Sequence, residues 1–70
     1  MGRDETHGMV WECEAECDKE TQQAIHVVLE TGDAWWIPKS VVHDDSEVFE
    51  FGGEGKLVLH YWWAERSGLV

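Results

Sequence analysis

The stretch "VWECEAECD", residues 10–18, places acids at Glu12, Glu14, Glu16 and Asp18 and sets Trp11, Cys13, Ala15 and Cys17 between them. A strict period of two is the signature of a strand with one buried and one solvated face. On a helix, Cys13 and Cys17 would share a face at a spacing that suggests zinc. On a strand they lie roughly 13 Å apart along one side, too far to share a metal or a disulfide. Structural zinc sites also bring paired Cys or His twice over. Here His7, His26, His43 and His60 are scattered. The cysteines therefore read as two small buried hydrophobes, and neither a metal nor a cofactor is expected.

Working outward from this strand, "DKETQQ" (18–23) is polar and reads as a turn or loop. "AIHVVLE" (24–30) reads as a second strand, with Ile25, Val27 and Leu29 on one face and His26, Val28 and Glu30 on the other. "TGD" (31–33) is a tight hairpin connection in which Gly32 supplies a positive φ, and "AWWI" (34–37) returns as its partner. Pro38 has no amide hydrogen and ends the ladder. Residues 38–48 read as an irregular excursion with one helical turn, and "FGGEGK" (51–56) as a glycine loop. "KLVLHYW" (56–62) is the fourth strand. "WWAERSGL" (62–69) fits a short terminal helix stopped by Gly68. The polar start, 1–8, reads as frayed.

These elements predict one mostly β (α+β) domain over 1–70. It has about four antiparallel strands in a small SH3-like barrel or curled sheet, with a short C-terminal helix. The barrel is favoured because closure hides strand edges. A chain of 70 residues buries only about 60% of its unfolded surface. Five tryptophans, two phenylalanines and one tyrosine supply the large apolar surfaces so small a core needs.

Fifteen Asp and Glu against five Lys and Arg give a formal net charge of −10. Such a surface repels nucleic acid and anionic membranes, and it attracts basic partners. The N-terminus lacks the apolar run of a signal peptide, and no segment reaches the ~20 apolar residues of a membrane span. "MGRDET" formally fits a myristoylation pattern at Gly2 and Thr6, but Asp4 and Glu5 follow and no basic cluster supports it. The expectation is a cytoplasmic protein with reduced thiols.

No catalytic set assembles. "HDD" (43–45) could bind a divalent cation or form an acid–base pair, but no nucleophile accompanies it, and "FGGEG" lacks the Lys-Ser/Thr of a phosphate-binding loop. The favoured reading of "HDDSE" is a solvated loop or a capped helical turn. Trp35 and Trp36 point to opposite faces of a strand, so one ring of each tryptophan pair is left to find cover elsewhere. Trp35 and Trp62 are the candidate interface anchors, and a homodimer burying such a pair is one arrangement. The acidic row remains. Glu12, Glu14, Glu16 and Asp18 would project from one face about 6.6–6.8 Å apart, with Glu20 extending them. Within that strand no basic residue relieves the row before Lys19. An unrelieved row resembles the regular charges of a nucleic-acid backbone and suits a Lys/Arg-lined groove. Edge protection and solubility are the plainer uses of the same charge.

"WIPKSVVHDDSEVF" (36–49) and "GKLVLHYWWAERSGL" (55–69) resemble a group of small proteins from phages and bacterial prophage regions that share a WIPKS…HDDSEV core and an AE…GL tail. The resemblance spans roughly 24–69. It implies a phage setting and no chemistry, and the doubled tryptophans and acidic first strand depart from it. The resulting expectation is a non-catalytic acidic inhibitor of a host nucleoprotein defence complex, of the anti-CRISPR or anti-restriction kind. Its partner would be a basic nucleic-acid-binding protein. The partner-facing residues would be Glu12, Glu14, Glu16, Asp18, Glu20, Glu30, Asp33, Asp44, Asp45 and Glu47. The alternative is an accessory module that binds protein through its aromatics, as a monomer or a homodimer.

Overall fold

The computed structural model describes residues 9–69; the frayed start expected at 1–8 and the Gly2 pattern lie outside the described residues. Four strands, β1 (Val10–Glu20), β2 (Ala24–Leu29), β3 (Ala34–Pro38) and β4 (Glu54–His60), precede a helix, α1 (Tyr61–Ser67). They form one antiparallel sheet in the order β3-β2-β1-β4. The mostly β class, the strand count and the terminal helix are as the sequence predicts. The sheet is open, so the favoured closed barrel does not form.

Alternation along each strand sets the layers. Trp11, Cys13, Ala15 and Cys17 of β1, Ile25, Val27 and Leu29 of β2, Ile37 of β3, and Leu57 and Leu59 of β4 share the inner face. Val41 and Val48 from the excursion, with Trp63 and Leu69 from the C-terminal end, cover that face and complete the core. Trp35 meets Trp63 edge-on, with ring centroids 6.5 Å apart at 75°, a favoured arrangement of aromatic quadrupoles. At the end of α1, Gly68 takes φ 98° and its amide bonds back to Ala64, which terminates the helix as expected. Gly32 takes φ 96° in the hairpin, where its N–H donates to the Leu29 carbonyl at 2.8 Å.

Boundaries differ from the sequence reading at the end of β1 and at both ends of β4. The first strand continues through Asp18 to Glu20, and the loop shrinks to 21–23. Thr21 closes that turn: its N–H donates to the Ala24 carbonyl at 2.8 Å, and its Oγ1 accepts from Ala24 N at 3.0 Å. β4 starts at Glu54, within the stretch read as a glycine loop, and ends at His60, so Tyr61 and Trp62, read as the end of that strand, open α1 instead.

The excursion from Pro38 to Gly53 explains why closure is unnecessary. It makes a single 3-10 turn over Lys39–Val41 and then laps the outer edge of β4. There the His43 N–H donates to Val58 O at 2.8 Å and the Glu47 N–H donates to Lys56 O at 2.8 Å. In return, Val58 N–H donates to Ser46 Oγ at 3.0 Å and Lys56 N–H to Glu47 Oε1 at 2.8 Å. Two backbone amides and two side-chain oxygens thus stand in for a fifth strand. Gly55 makes room for it. A Cβ there would sit 2.6 Å from Glu47 Oε1, and its φ of +127° disfavours any other residue.

Candidate functional site

The outer face of the sheet follows from the register. Glu12 lies opposite Val58, Glu14 opposite Lys56, and Glu16 opposite both Glu54 on β4 and Val28 on β2. Residues directly opposite in an antiparallel pair project to the same side. Glu12, Glu14 and Glu16 are all exposed, so this part of the acidic row is present as read. Glu54 adds to it, and Glu30 joins it through the bond of its N–H to Glu14 O at 3.0 Å. Glu14, Glu16, Glu30 and Glu54 share the walls of a shallow depression of about 310 Å³, with Val28 beside them. Lys56, across from Glu14, is the cation that a single strand could not reveal.

The far end of the row departs from the expectation. Cys17 pairs with Val27 and Lys19 with His26, so Asp18 is an extra, bulged residue. One inserted residue reverses which side the rest of the strand faces. Glu20 therefore pairs with Ile25 and lies on the inner side. It does not extend the row. Its Oε2 binds the Lys39 ammonium and its Oε1 accepts the Phe51 N–H at 3.0 Å. The Lys39 bond, and then the Phe51 bond, hold the Glu20 carboxyl below its ordinary range. Asp18 remains on the outer side, bonded to His26 Nδ1 at 2.6 Å, and that bond is the main reason its carboxyl titrates low. The His26 ring in turn lies 5.0 Å from that of Trp36.

The remaining predicted residues sit apart. Asp33 is exposed in the hairpin, accepting the Leu29 N–H on its carbonyl at 2.8 Å. Asp44 and Asp45 are exposed beyond β4, with the Asp45 N–H donating to His43 Nδ1 at 3.1 Å. His43 in turn packs against His60, with ring centroids 5.2 Å apart. Glu47 is spent on the Lys56 amide. The "HDDSE" segment is thus first a clip for β4. Its Ser46, buried, accepts from Val58 and Val48 amides and donates to the Val48 carbonyl at 2.8 Å.

Among the aromatic candidates, Trp62 is exposed on α1, but Trp35 packs on the core side. The exposed ring of the pair is Trp36, at 49%. Phe49 and Phe51, which the sequence reading did not single out, are exposed at 54% and 66%. They flank Glu50 in a loop with no periodicity to place them. Cys13 and Cys17 are free, and burial pushes the Cys17 thiol up. Among the described residues no group of three or more His, Cys, Asp or Glu is placed to hold a metal ion. No described helix is long and apolar enough to cross a membrane. No family model, curated protein or solved structure matches the chain.

Proposed function

We propose that this chain is a non-catalytic acidic inhibitor of phage origin. It would block a nucleoprotein defence complex of the bacterial host, of the anti-CRISPR or anti-restriction type, by offering carboxylates where the complex expects phosphates. The observation that carries this reading is the outer face of β1. Glu12, Glu14 and Glu16 stand exposed in register on a rigid strand, and Glu30 and Glu54 add charge beside the same depression. A solvated strand that needed only solubility would mix Thr, Lys or Gln into such a row. Carboxylates held on a sheet reach a cationic groove without the entropy cost that long, mobile side chains on loops would bring. The net charge of −10 would steer encounter with a basic partner and repel free nucleic acid. The WIPKS…HDDSEV resemblance favours the phage setting, and the host cytoplasm is the compartment in which such a partner would be met.

The reading is tested by capture from a bacterial lysate on the immobilised protein at low and at high salt, with identification of what is held. Nucleic-acid-binding proteins that elute as salt rises, and that duplex DNA displaces, are the expected result. Capture of proteins without nucleic-acid-binding activity, insensitive to salt, contradicts it. The second reading is an accessory module that binds protein through aromatics, and the exposure of Phe49, Phe51 and Trp62 favours it. It requires capture to survive high salt and to be lost when those three residues become alanine.

A further inference from the structure

The two edges of the sheet are treated differently: the β4 edge is sealed, and the β3 edge is left open among the described residues. The outward-facing backbone groups of β3 can be identified from the ladder. Leu29 N–H donates to Asp33 O, and Lys39 N–H donates to Gln23 O. Counting in steps of two between them makes Val27–Trp35 and Ile25–Ile37 the hydrogen-bonded pairs with β2. The N–H and C=O of Ala34 and Trp36, and the C=O of Pro38, therefore point away from the sheet. Among the described residues nothing outside the sheet bonds to them, whereas the corresponding groups at Lys56 and Val58 are all engaged. Residue types on the two sides of this edge differ. On the outer side stand Ala34 and the exposed Trp36. Beyond them on β1 lie the carboxylates of Asp18, bonded to His26, and of Glu16, with Lys19 next to Asp18 and opposite His26, and no Lys or Arg stands on β2 or β3. On the inner side Trp35 is only half-buried, next to the fully buried Ile37.

We propose that β3 accepts an extended segment of a partner protein in which basic and apolar residues alternate. The segment's backbone would pair with Ala34 and Trp36. Its basic side chains would lie over the Trp36 ring, where a cation is attracted to the aromatic face, and in the field of the outer carboxylates. Its apolar side chains would cover Trp35. Charge selects this occupant over a second copy of the chain, since two copies at −10 each repel. The inference goes beyond the inhibitor reading, because it rests first on the outward backbone groups of β3, to which the carboxylates of β1 only add attraction.

The probe is a blocked heptapeptide of alternating lysine and valine. The control is a peptide of the same composition with its lysines and valines in separate blocks. With the alternating peptide bound, the amides of Ala34 and Trp36 should exchange with solvent about tenfold more slowly, and the block peptide should leave them unchanged. Ala34→Pro removes an outward donor without touching the β2 ladder and should weaken alternating-peptide binding about tenfold; Ala34→Thr, which keeps the N–H, should not. No binding up to about 1 mM peptide, equal binding of the block peptide, or binding without protection of these amides each overturns the proposal. So does sedimentation as a dimer with the same amides already protected. The exchange measurement on the unaltered chain decides the matter even if Ala34→Pro does not fold. Replacement of Glu12, Glu14 and Glu16 by Gln leaves the β3 backbone and Asp18 in place, so peptide protection of the Ala34 and Trp36 amides should persist where capture of nucleic-acid-binding proteins is lost, and the two readings fail separately.

Discussion

The β4 edge and the β3 edge belong to one sheet and end in opposite states. At β4, the four outward groups of Lys56 and Val58 are satisfied by His43, Ser46 and Glu47. At β3, the outward groups of Ala34 and Trp36 meet nothing among the described residues. An unprotected edge invites pairing with other chains, and a 70-residue chain has little stability to spare. This molecule places its polar side chains where an edge needs sealing. The "HDDSE" segment, which looks like a charged site in the sequence, mainly seals an edge. The carboxylates of Glu12, Glu14 and Glu16, which have no such task, are left to the surface.

Breaking the sealed edge should have the largest effect. Ser46→Ala strips the partner from two amides and one carbonyl in a buried position. Unsatisfied buried groups of this kind should cost about 3 kcal/mol. Denaturant unfolding measures this loss, and amide exchange at Val58 should rise ahead of exchange on β2. Gly55→Ala comes next. It forces a side chain into φ +127° and pushes Glu47 Oε1 off the Lys56 amide, for about 2 kcal/mol, read as a lower thermal midpoint.

A smaller effect concerns the ties at the end of β1. Asp18 and Glu20 both titrate below their ordinary values in the folded chain. A depressed carboxyl favours the folded state above its unfolded pKa of about 4, and that contribution is lost as pH falls through the folded value. As pH falls below about 5 and on through the depressed folded values, the protein should lose stability from this source. A variant carrying Asp18→Asn and Glu20→Gln should show a shallower decline in acid unfolding followed by circular dichroism. The smallest effect belongs to the open edge. Ala34→Pro breaks no ladder bond, so the fold's own stability should change by less than about 0.5 kcal/mol. A loss comparable to that of Gly55→Ala would show that this edge is already in use.

Much of this architecture was legible in the sequence because it rests on local rules. The alternation at 10–17, the inward triad of Ile25, Val27 and Leu29, the Gly32 hairpin and the Gly68 helix stop each depend on a few neighbouring residues. What was not legible depends on non-local register. Neither Lys56 opposite Glu14 nor the bulge that turns Glu20 away can be seen before β1 is paired with β4 and β2. The role of Ser46 and Glu47 needed the path of the excursion, which has no period to betray it. Trp35 and Trp36 were correctly split between faces, yet the ring named as an interface anchor is the one that Trp63 covers. The acidic face is accordingly narrower than the sequence suggests: Glu12, Glu14, Glu16 and Glu30 share it with Glu54, while Glu20 and Glu47 are bonded within the fold.

The most direct measurement is lysate capture by the variant carrying Glu12→Gln, Glu14→Gln and Glu16→Gln, run beside the unaltered chain. These side chains make no hydrogen bond or ion pair among the described residues, and removing their mutual repulsion should leave the fold as stable or slightly more so. The account predicts that the variant, still folded, loses the salt-sensitive, DNA-displaceable nucleic-acid-binding proteins held by the unaltered chain. Capture of the same proteins by the variant, with the same salt dependence, would contradict it.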